Sequence, residues 1–250
     1  MQPVAATLSA LDQHRFGVQT AKALCFDEGA VLSSVADAKA LGARLLILRV
    51  PAAKWKCVAT AQETGGLLTD VLDYYEWAAC ELASEGEAQR LAAKADLHVR
   101  TAIPSDAEEV GALAKAAFAD YQGHYHRDPR LDLGAAAEVY PDWARRACEG
   151  TDAGSAPVLV LLVEDRIAGF AALVHRKPDV IEVTLFAVHP RYQRTGNGLL
   201  LLSAIQRHAL VSGAKHVLYS TQVENVAARR MLGRCGFLPS YTLLTFHCWI

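Results

Sequence analysis

Two glycines two residues apart, Gly196 and Gly198, sit in the stretch QRTGNG between an apolar run that ends in proline, TLFAVHP, and a second apolar run, LLLLSAIQRHAL. The pattern predicts a strand ending at Val188, a short turn, and a helix starting near Gly198. Such a turn gathers backbone N–H groups at a helix N-terminus, where the partial positive charge favours an anion. Glycine suits it because a phosphate must approach backbone where a Cβ would collide, and because nest-like turns use positive φ. The expected ligand is a phosphate or pyrophosphate. The spacing Q-x-x-G-x-G is neither the dinucleotide fingerprint nor a Walker A with its lysine, so a nucleotide-dependent dehydrogenase and an ATPase both lose their main support. On this stretch alone, an ordinary glycine-rich strand-to-helix turn is an equal alternative.

A second group of reactive side chains lies in YQGHYHRDPRLD, residues 121–132. His124, Tyr125, His126, Arg127, Asp128 and Arg130 combine stacking faces, donors, cations and a carboxylate, and Tyr140 and Trp143 follow. That mixture fits a ligand with an aromatic base, a diphosphate and a polar ring. It equally fits an ordered cover over a core, with Trp143 as a core residue. Cys25, Cys57, Cys80, Cys148, Cys235 and Cys248 are scattered, with no C-x-x-C pair and no zinc-type spacing, so reduced interior thiols and no metal are expected. Lys and Arg total 25 against 27 Asp and Glu, which argues against nucleic acid and for a small molecule or another protein as partner. No apolar run reaches the roughly 18 residues of a membrane span, and MQPVAATLSA lacks the order of a signal peptide. A cytoplasmic protein is expected.

The elements that must position these residues read as two αβ-rich halves, 1–96 and 97–250. In the first, 16–26 reads as a strand, 31–42 as an Ala-rich helix closed by Gly42, and 43–51 as a buried strand. A short helix over 56–66, a strand over 67–78 and a polar connector over 85–94 follow. The second half opens with a strand over 98–102 and a helix after Pro104, capped by Ser105 or Asp106, whose apolar positions Val110, Leu113, Ala114, Ala117 and Phe118 form one face. A helix over 135–148, started or kinked by Pro141, comes next. Residues 157–176 predict two strands joined by a hairpin at Glu164, Asp165 and Arg166, and 180–190 a third strand. A helix over 199–213, a strand over 216–222, a helix over 224–237 and a strand over 240–250 complete the chain. No internal repeat is visible.

The continuous string from LFAVHPRYQRTGNG to MLGRCGF resembles the acyl-CoA-binding core of the GNAT superfamily of N-acyltransferases. The likeness includes the strand ending in Val188, His189 and Pro190, the Gln193, Gly196 and Gly198 turn, the helix start at Asn225, and Gly236-Phe237. HVRTAIPSDAEEVGALAKAAF resembles the superfamily's opening strand and helix, so the resemblance runs over roughly 98 to 250. It implies an α/β (α+β) GNAT fold, a mixed, mostly antiparallel sheet flanked by helices. It also implies acetyl-CoA or another acyl-CoA as cosubstrate, direct attack of an amine on the thioester, and no metal. Phe186, Ala187 and Val188 would line the pantetheine arm on a strand that splays at a bulge, and Val188 N–H would stabilise the oxyanion. Gln193, Arg194, Thr195, Gly196, Asn197, Gly198 and Leu199 would hold the pyrophosphate, and Asn225 would contact the coenzyme near its thioester, or cap its helix, or both. Many members carry a tyrosine acid seven residues after this asparagine. Here that position is Leu232, so Tyr219 and Tyr241 are the candidate acids, or the thiolate leaves unaided. His126, His175, Glu182, His189 and Glu224 are candidate bases.

The first half, with Arg15, Phe16 and Gly17 and its strand, helix, strand order, resembles the truncated GNAT-like N-terminal domain of the bacterial dTDP-fucosamine N-acetyltransferases. That resemblance implies an amino group on a dTDP-linked amino-deoxy sugar as acceptor, held by Phe16, His124, Tyr125, His126, Asp128, Tyr140 and Trp143 in a cleft between domains. The alternatives are another amine, such as a polyamine, antibiotic, amino acid or protein N-terminus, and a coenzyme A-binding module without turnover. A homodimer is compatible with all of them.

Overall fold

The computed structural model describes residues 3–79, 98–150 and 157–250. Cys80, the 85–94 connector and the 96/97 boundary expected from sequence lie outside the described residues. The chain forms two compact units, each assembled from separated segments. The first holds Met1–Asp73, Gln122–Ala136 and Tyr241–Ile250; the second holds Tyr74–Tyr121 and Ala137–Ser240.

In the first unit, β1 (Val4–Leu8), β2 (Thr20–Leu24), β3 (Leu45–Pro51), the end of β10 (Leu238–Trp249) and the start of β4 (Leu67–Ala78) lie side by side in the order β1-β2-β3-β10-β4. β2 and β3 are parallel, joined by α2 (Glu28–Ala40), which is the strand, helix, strand unit expected here. Asp27 caps α2 by accepting from Ala30 N–H at 2.8 Å. α3 (Trp55–Glu63) packs on the same core, in which Val31, Ala38, Leu46, Leu48, Val50, Cys57, Ala61 and Phe246 are buried. The expected strand over 16–26 is shorter than its apolar run. Ser9 caps α1 (Ala10–Phe16), Gly17 ends it at φ 65°, and β2 starts only at Thr20. Phe16 therefore closes a helix.

In the second unit the order runs β10-β4-β9-β8-β7-β6-β5, built from the end of β4, β5 (Val99–Thr101), β6 (Leu159–Val163), β7 (Arg166–Lys177), β8 (Val180–Val188), β9 (His216–Gln222) and the start of β10. β4 runs between β10 and β9, so Tyr241 and Tyr219 are not on adjoining strands. Glu164 and Asp165, at φ 50° and 60°, turn β6 into β7 as a two-residue hairpin requires. The helix expected after Pro104 is α4 (Ala107–Ala117). The helix expected over 135–148 is two, α5 (Leu133–Ala137) and α6 (Val139–Glu149), with Pro141 in the first turn of α6, where no intrahelical donor is lost. Both sheet faces are covered. Leu159, Leu161, Ala171 and Leu173 face one core with α7 (Asn197–Val211) and α8 (Val226–Arg234), while Val158, Val160, Phe170 and Ala172 face the other with α4 and α6.

Candidate active site

β8 changes faces partway along. Ile181 and Val183 point into the α7/α8 core, yet Leu185 and Ala187, at the same alternation, point into the α4/α6 core. The register explains it: Leu173 pairs with Val183 and Ala172 with Leu185, so Thr184 is one extra residue. One inserted residue turns every later side chain over. Thr184 Oγ1 bonds Ala172 O at 3.2 Å across the bulge.

At this bulge β8 and β9 part. Their parallel ladder runs from Val180–His216 to Val183–Tyr219 and stops, although β9 continues to Gln222 and β8 to Val188. His189 N–H bonds Ala168 O on the β7 side at 2.9 Å. Successive amides of a strand point to opposite edges, so Val188 N–H faces the opened edge. Gly169, opposite Val188, is closely enclosed, since a Cβ there would lie 3.0 Å from Ala187 O.

The turn that follows is shaped by its own side chains. Gln193 Nε2 donates to Val188 O at 2.9 Å, and Thr195 Oγ1 and Asn197 Nδ2 both donate to Tyr192 O, at 2.7 and 3.1 Å. Arg194 and Gly196 adopt φ 64° and 90°. Gly196 is the N-cap of α7 and offers no side-chain acceptor, and the first helical bond is Leu200 N–H to Gly196 O at 3.0 Å. The amides of Asn197, Gly198 and Leu199 thus begin the helix without intrahelical partners, as an anion site needs. The two glycines serve different ends. Gly196 has open space around its missing Cβ, whereas a Cβ on Gly198 would lie 2.9 Å from Met231 Sδ of α8. Gly196 sets the backbone; Gly198 admits α8.

Asn225 caps α8, its Oδ1 accepting from Ala228 N–H at 3.0 Å. Leu232 is fully buried in the α7/α8 core. Tyr219 lies where the strands part, its ring edge-on to Phe186 at 5.6 Å, and burial pushes its hydroxyl well up from the ordinary range. Among the candidate bases, Glu182 is ion-paired with Arg176, His189 Nδ1 accepts from Arg191 N–H at 3.2 Å, and His175 and Glu224 are exposed.

The 121–132 loop forms a separate network within the first unit. Asp128 Oδ2 accepts from His247 Nδ1 and from Trp249 Nε1, each at 2.8 Å, and its Oδ1 accepts from Arg130 N–H at 3.1 Å. His247 Nε2 lies 2.9 Å from His124 Nδ1. With Asp128 ionised, the proton of His247 sits on Nδ1, so its Nε2 accepts from His124 and the chain has one direction. Burial acts to raise the Asp128 carboxyl, but the bonds from Trp249, His247 and Arg130 outweigh it and hold it below the ordinary range. Burial, and for His124 also the neighbouring His247, lowers both histidines, His124 most. Tyr125 stacks on Phe16 at 4.9 Å and donates to Asp12 Oδ1 at 2.8 Å, while Lys22 Nζ sits 2.5 Å from Asp12 Oδ2. Asp12, too, is raised by burial and then lowered further by Lys22.

His124, Tyr125, Asp128 and Phe16 are therefore brought together, but as a framework: the Asp128 carboxylate, read from sequence as a ligand group, is fully buried and bonded internally. His126 differs. It is half-buried, and its Nδ1 has no hydrogen-bond partner among the described residues. Tyr140 stacks on Phe118 at 4.8 Å and meets Tyr121 edge-on at 5.0 Å, and Trp143 packs against the α4/α6 core. His247, Trp249, Asp12 and Lys22 escaped the sequence reading. Alternation on β10 offered a signal, since Phe246 and Cys248 are core residues and their polar neighbours Thr245, His247 and Trp249 must face the other way.

A bulged strand parting from its parallel neighbour before a glycine turn and a helix, in a mixed sheet covered on both faces, is the GNAT fold. Residues 117–237, which carry the splay and the turn, match the Acetyltransferase (GNAT) family. This segment is similar in sequence to the GNAT acetyltransferases, and the fold around it is the GNAT fold. A GCN5-related N-acetyltransferase from Kribbella flavida superposes with a TM-score of 0.61 over 99% of this chain and 89% of its own, at 18% identity. A functionally unknown conserved protein from Staphylococcus epidermidis ATCC 12228 gives 0.62 over 100% and 93%, at 14% identity. In sequence, the spore coat polysaccharide biosynthesis protein SpsD of Bacillus subtilis (strain 168) is 27% identical over 146 residues, 58% of this chain. The chain spans about half the length of that relative, 48% of it. Among the described residues no helix is long and apolar enough to cross a membrane. All the described cysteines are free, and burial pushes the thiols of Cys148, Cys235 and Cys248 up to about 11.

Proposed function

We propose that the protein is an acyl-CoA-dependent N-acyltransferase acting on the amino group of a nucleotide-linked, dTDP-type amino-deoxy sugar. The observation that carries the acyltransferase reading is the Thr184 bulge. It ends the β8–β9 ladder at Val183 and leaves the Val188 amide on an open edge, one turn before the unpartnered amides of α7. These groups fit acyl-CoA: free strand edge for the amide groups of pantetheine, and helix-start amides for pyrophosphate. Acyl-CoA supplies an activated thioester carbonyl. The chain's own part is to hold the coenzyme on the amides of Gly196, Asn197, Gly198 and Leu199, and to aim Val188 N–H at the oxygen that gains charge as the amine attacks. A fixed donor of this kind favours the transition state over the ground state. Asn225 keeps its cap role and has its Nδ2 left for the coenzyme.

For the acceptor, the role of the Bacillus subtilis relative in spore coat polysaccharide biosynthesis supports a sugar, and the rigidly framed 121–132 loop offers cations for a diphosphate. We assign His126 and the cations Arg127 and Arg130 to acceptor recognition. His124, Tyr125, Asp128 and Phe16 hold that loop. Calorimetry with acetyl-CoA, followed by thiol release with dTDP- and UDP-amino sugars, spermidine and peptides, tests the proposal. Turnover is expected with a dTDP-amino sugar and to be far weaker with the same sugar lacking its nucleotide. Equal kcat/KM for the two sugars, or turnover of spermidine or peptides alone, refutes the acceptor; absence of coenzyme binding refutes the whole reading.

A further inference from the structure

Expulsion of a thiolate is faster when an acid delivers a proton to sulfur as the C–S bond breaks. Leu232, fully buried, supplies none. A substitute needs a hydroxyl near the end of β9 where it has parted from β8, and a neighbour that tolerates the resulting phenolate. Tyr75 on β4, the strand beside β9, has both. Its hydroxyl accepts from Arg229 Nε at 3.0 Å, and the same guanidinium donates through Nη1 to Val223 O at 3.0 Å. Val223 is the residue immediately after β9, so the bridge pins the phenol at the C-terminal end of that strand, where the splay is open. Arg229 stands one helical turn beyond Asn225, the cap of α8. Tyr219 offers a poorer acid: burial pushes its hydroxyl well up from the ordinary range, so it gives up its proton reluctantly.

We infer that Tyr75, positioned and charge-stabilised by Arg229, is the acid that protonates the departing coenzyme A thiolate. The inference rests on the acyltransferase reading. In the step, the amine nitrogen bonds to the acyl carbon and the C–S bond breaks with its electron pair on sulfur. Sulfur takes the phenolic proton; the phenolate beside Arg229 regains one from solvent, to which the new amide nitrogen has released its own.

Calorimetry with coenzyme A and desulpho-coenzyme A, on wild type and Tyr75→Phe, reads the contact with sulfur without any acceptor. Wild type is expected to distinguish the two ligands and Tyr75→Phe to bind them equally. With an amine that wild type turns over, Tyr75→Phe should lose roughly 10²-fold or more in kcat at unchanged KM for acetyl-CoA. Arg229→Gln should also lower kcat at unchanged KM for acetyl-CoA, because the phenol loses the group that positions it. Unaltered discrimination between the two ligands in Tyr75→Phe, a kcat within a few-fold of wild type, or the loss appearing in Tyr219→Phe instead, overturns the inference. Failure of wild type to bind coenzyme A refutes the acyltransferase reading itself, and is seen before any variant is made.

Discussion

Replacing Asp128 by Asn tests whether the 121–132 loop is a framework. Two donors, His247 Nδ1 and Trp249 Nε1, share Oδ2 at 2.8 Å, and the Arg130 amide bonds Oδ1 at 3.1 Å. An amide has one oxygen, so one of these atoms becomes an NH₂. If the oxygen stays at the Oδ2 position, the NH₂ faces the Arg130 amide. In the other orientation it faces the indole N–H, even though His247 can change tautomer to accommodate it. Either way a donor meets a donor and the charge-assisted bonds become neutral. The net value of a bond to a charged group is about 1.5–3 kcal/mol against about 0.5–1.5 for a neutral one, and an unmet buried donor costs about 1–3 kcal/mol. The expected destabilisation is about 2–4 kcal/mol, rising to about 3–5 kcal/mol for Asp128→Ala, which strands His247, Trp249 and the Arg130 amide together. Urea unfolding followed by tryptophan fluorescence measures it, with the m-value checked for a change in the unfolding reaction. An Asp128→Asn protein within about 0.5 kcal/mol of wild type would refute the network as drawn, since that is the range of an indifferent surface change.

Acidification should act on the same place. Because His124 and His247 are lowered in the folded protein, the unfolded chain binds their protons first. Their contribution is complete above about pH 6.5 and is lost as the pH falls below it towards the folded values, a slope that His247→Gln should flatten in pH-dependent urea midpoints. At the glycine turn, Gly196→Ala should weaken coenzyme A binding through about 1–2 kcal/mol of left-handed backbone strain. Gly198→Ala should instead be met by a shift of the flexible Met231 side chain and cost little stability; calorimetry and thermal melts of the two variants separate these. Deleting Thr184 should leave Leu185 paired with Ala172 and facing the α4/α6 core, but make the ladder regular and close the splay. A folded deletion variant that binds coenzyme A normally would show that the bulge does not make the site.

Much of the site could be read from local sequence, because its determinants are local. The Gly196 and Gly198 turn, the Pro190 break and the apolar period of α7 are contiguous, and each acts within a few residues through φ or periodicity. The hairpin at Glu164 and Asp165 was legible for the same reason. Short elements were less so: α1 is set by Ser9 and Gly17 rather than by a long apolar period, and the apolar run after it hid where the helix stops. Two things were settled only by tertiary structure. The Thr184 bulge carries no mark of its own in VIEVTLFAV; it appears when β7 fixes the register and the two cores claim opposite alternations. The roles of the 121–132 residues depend on partners far along the chain, His247 and Trp249 at its end and Asp12 and Lys22 near its start. The sequence announces a carboxylate, two histidines and an indole. Only the fold brings them within hydrogen-bonding distance, and the bonds from Trp249, His247 and Arg130 then keep Asp128 ionised and turned inward.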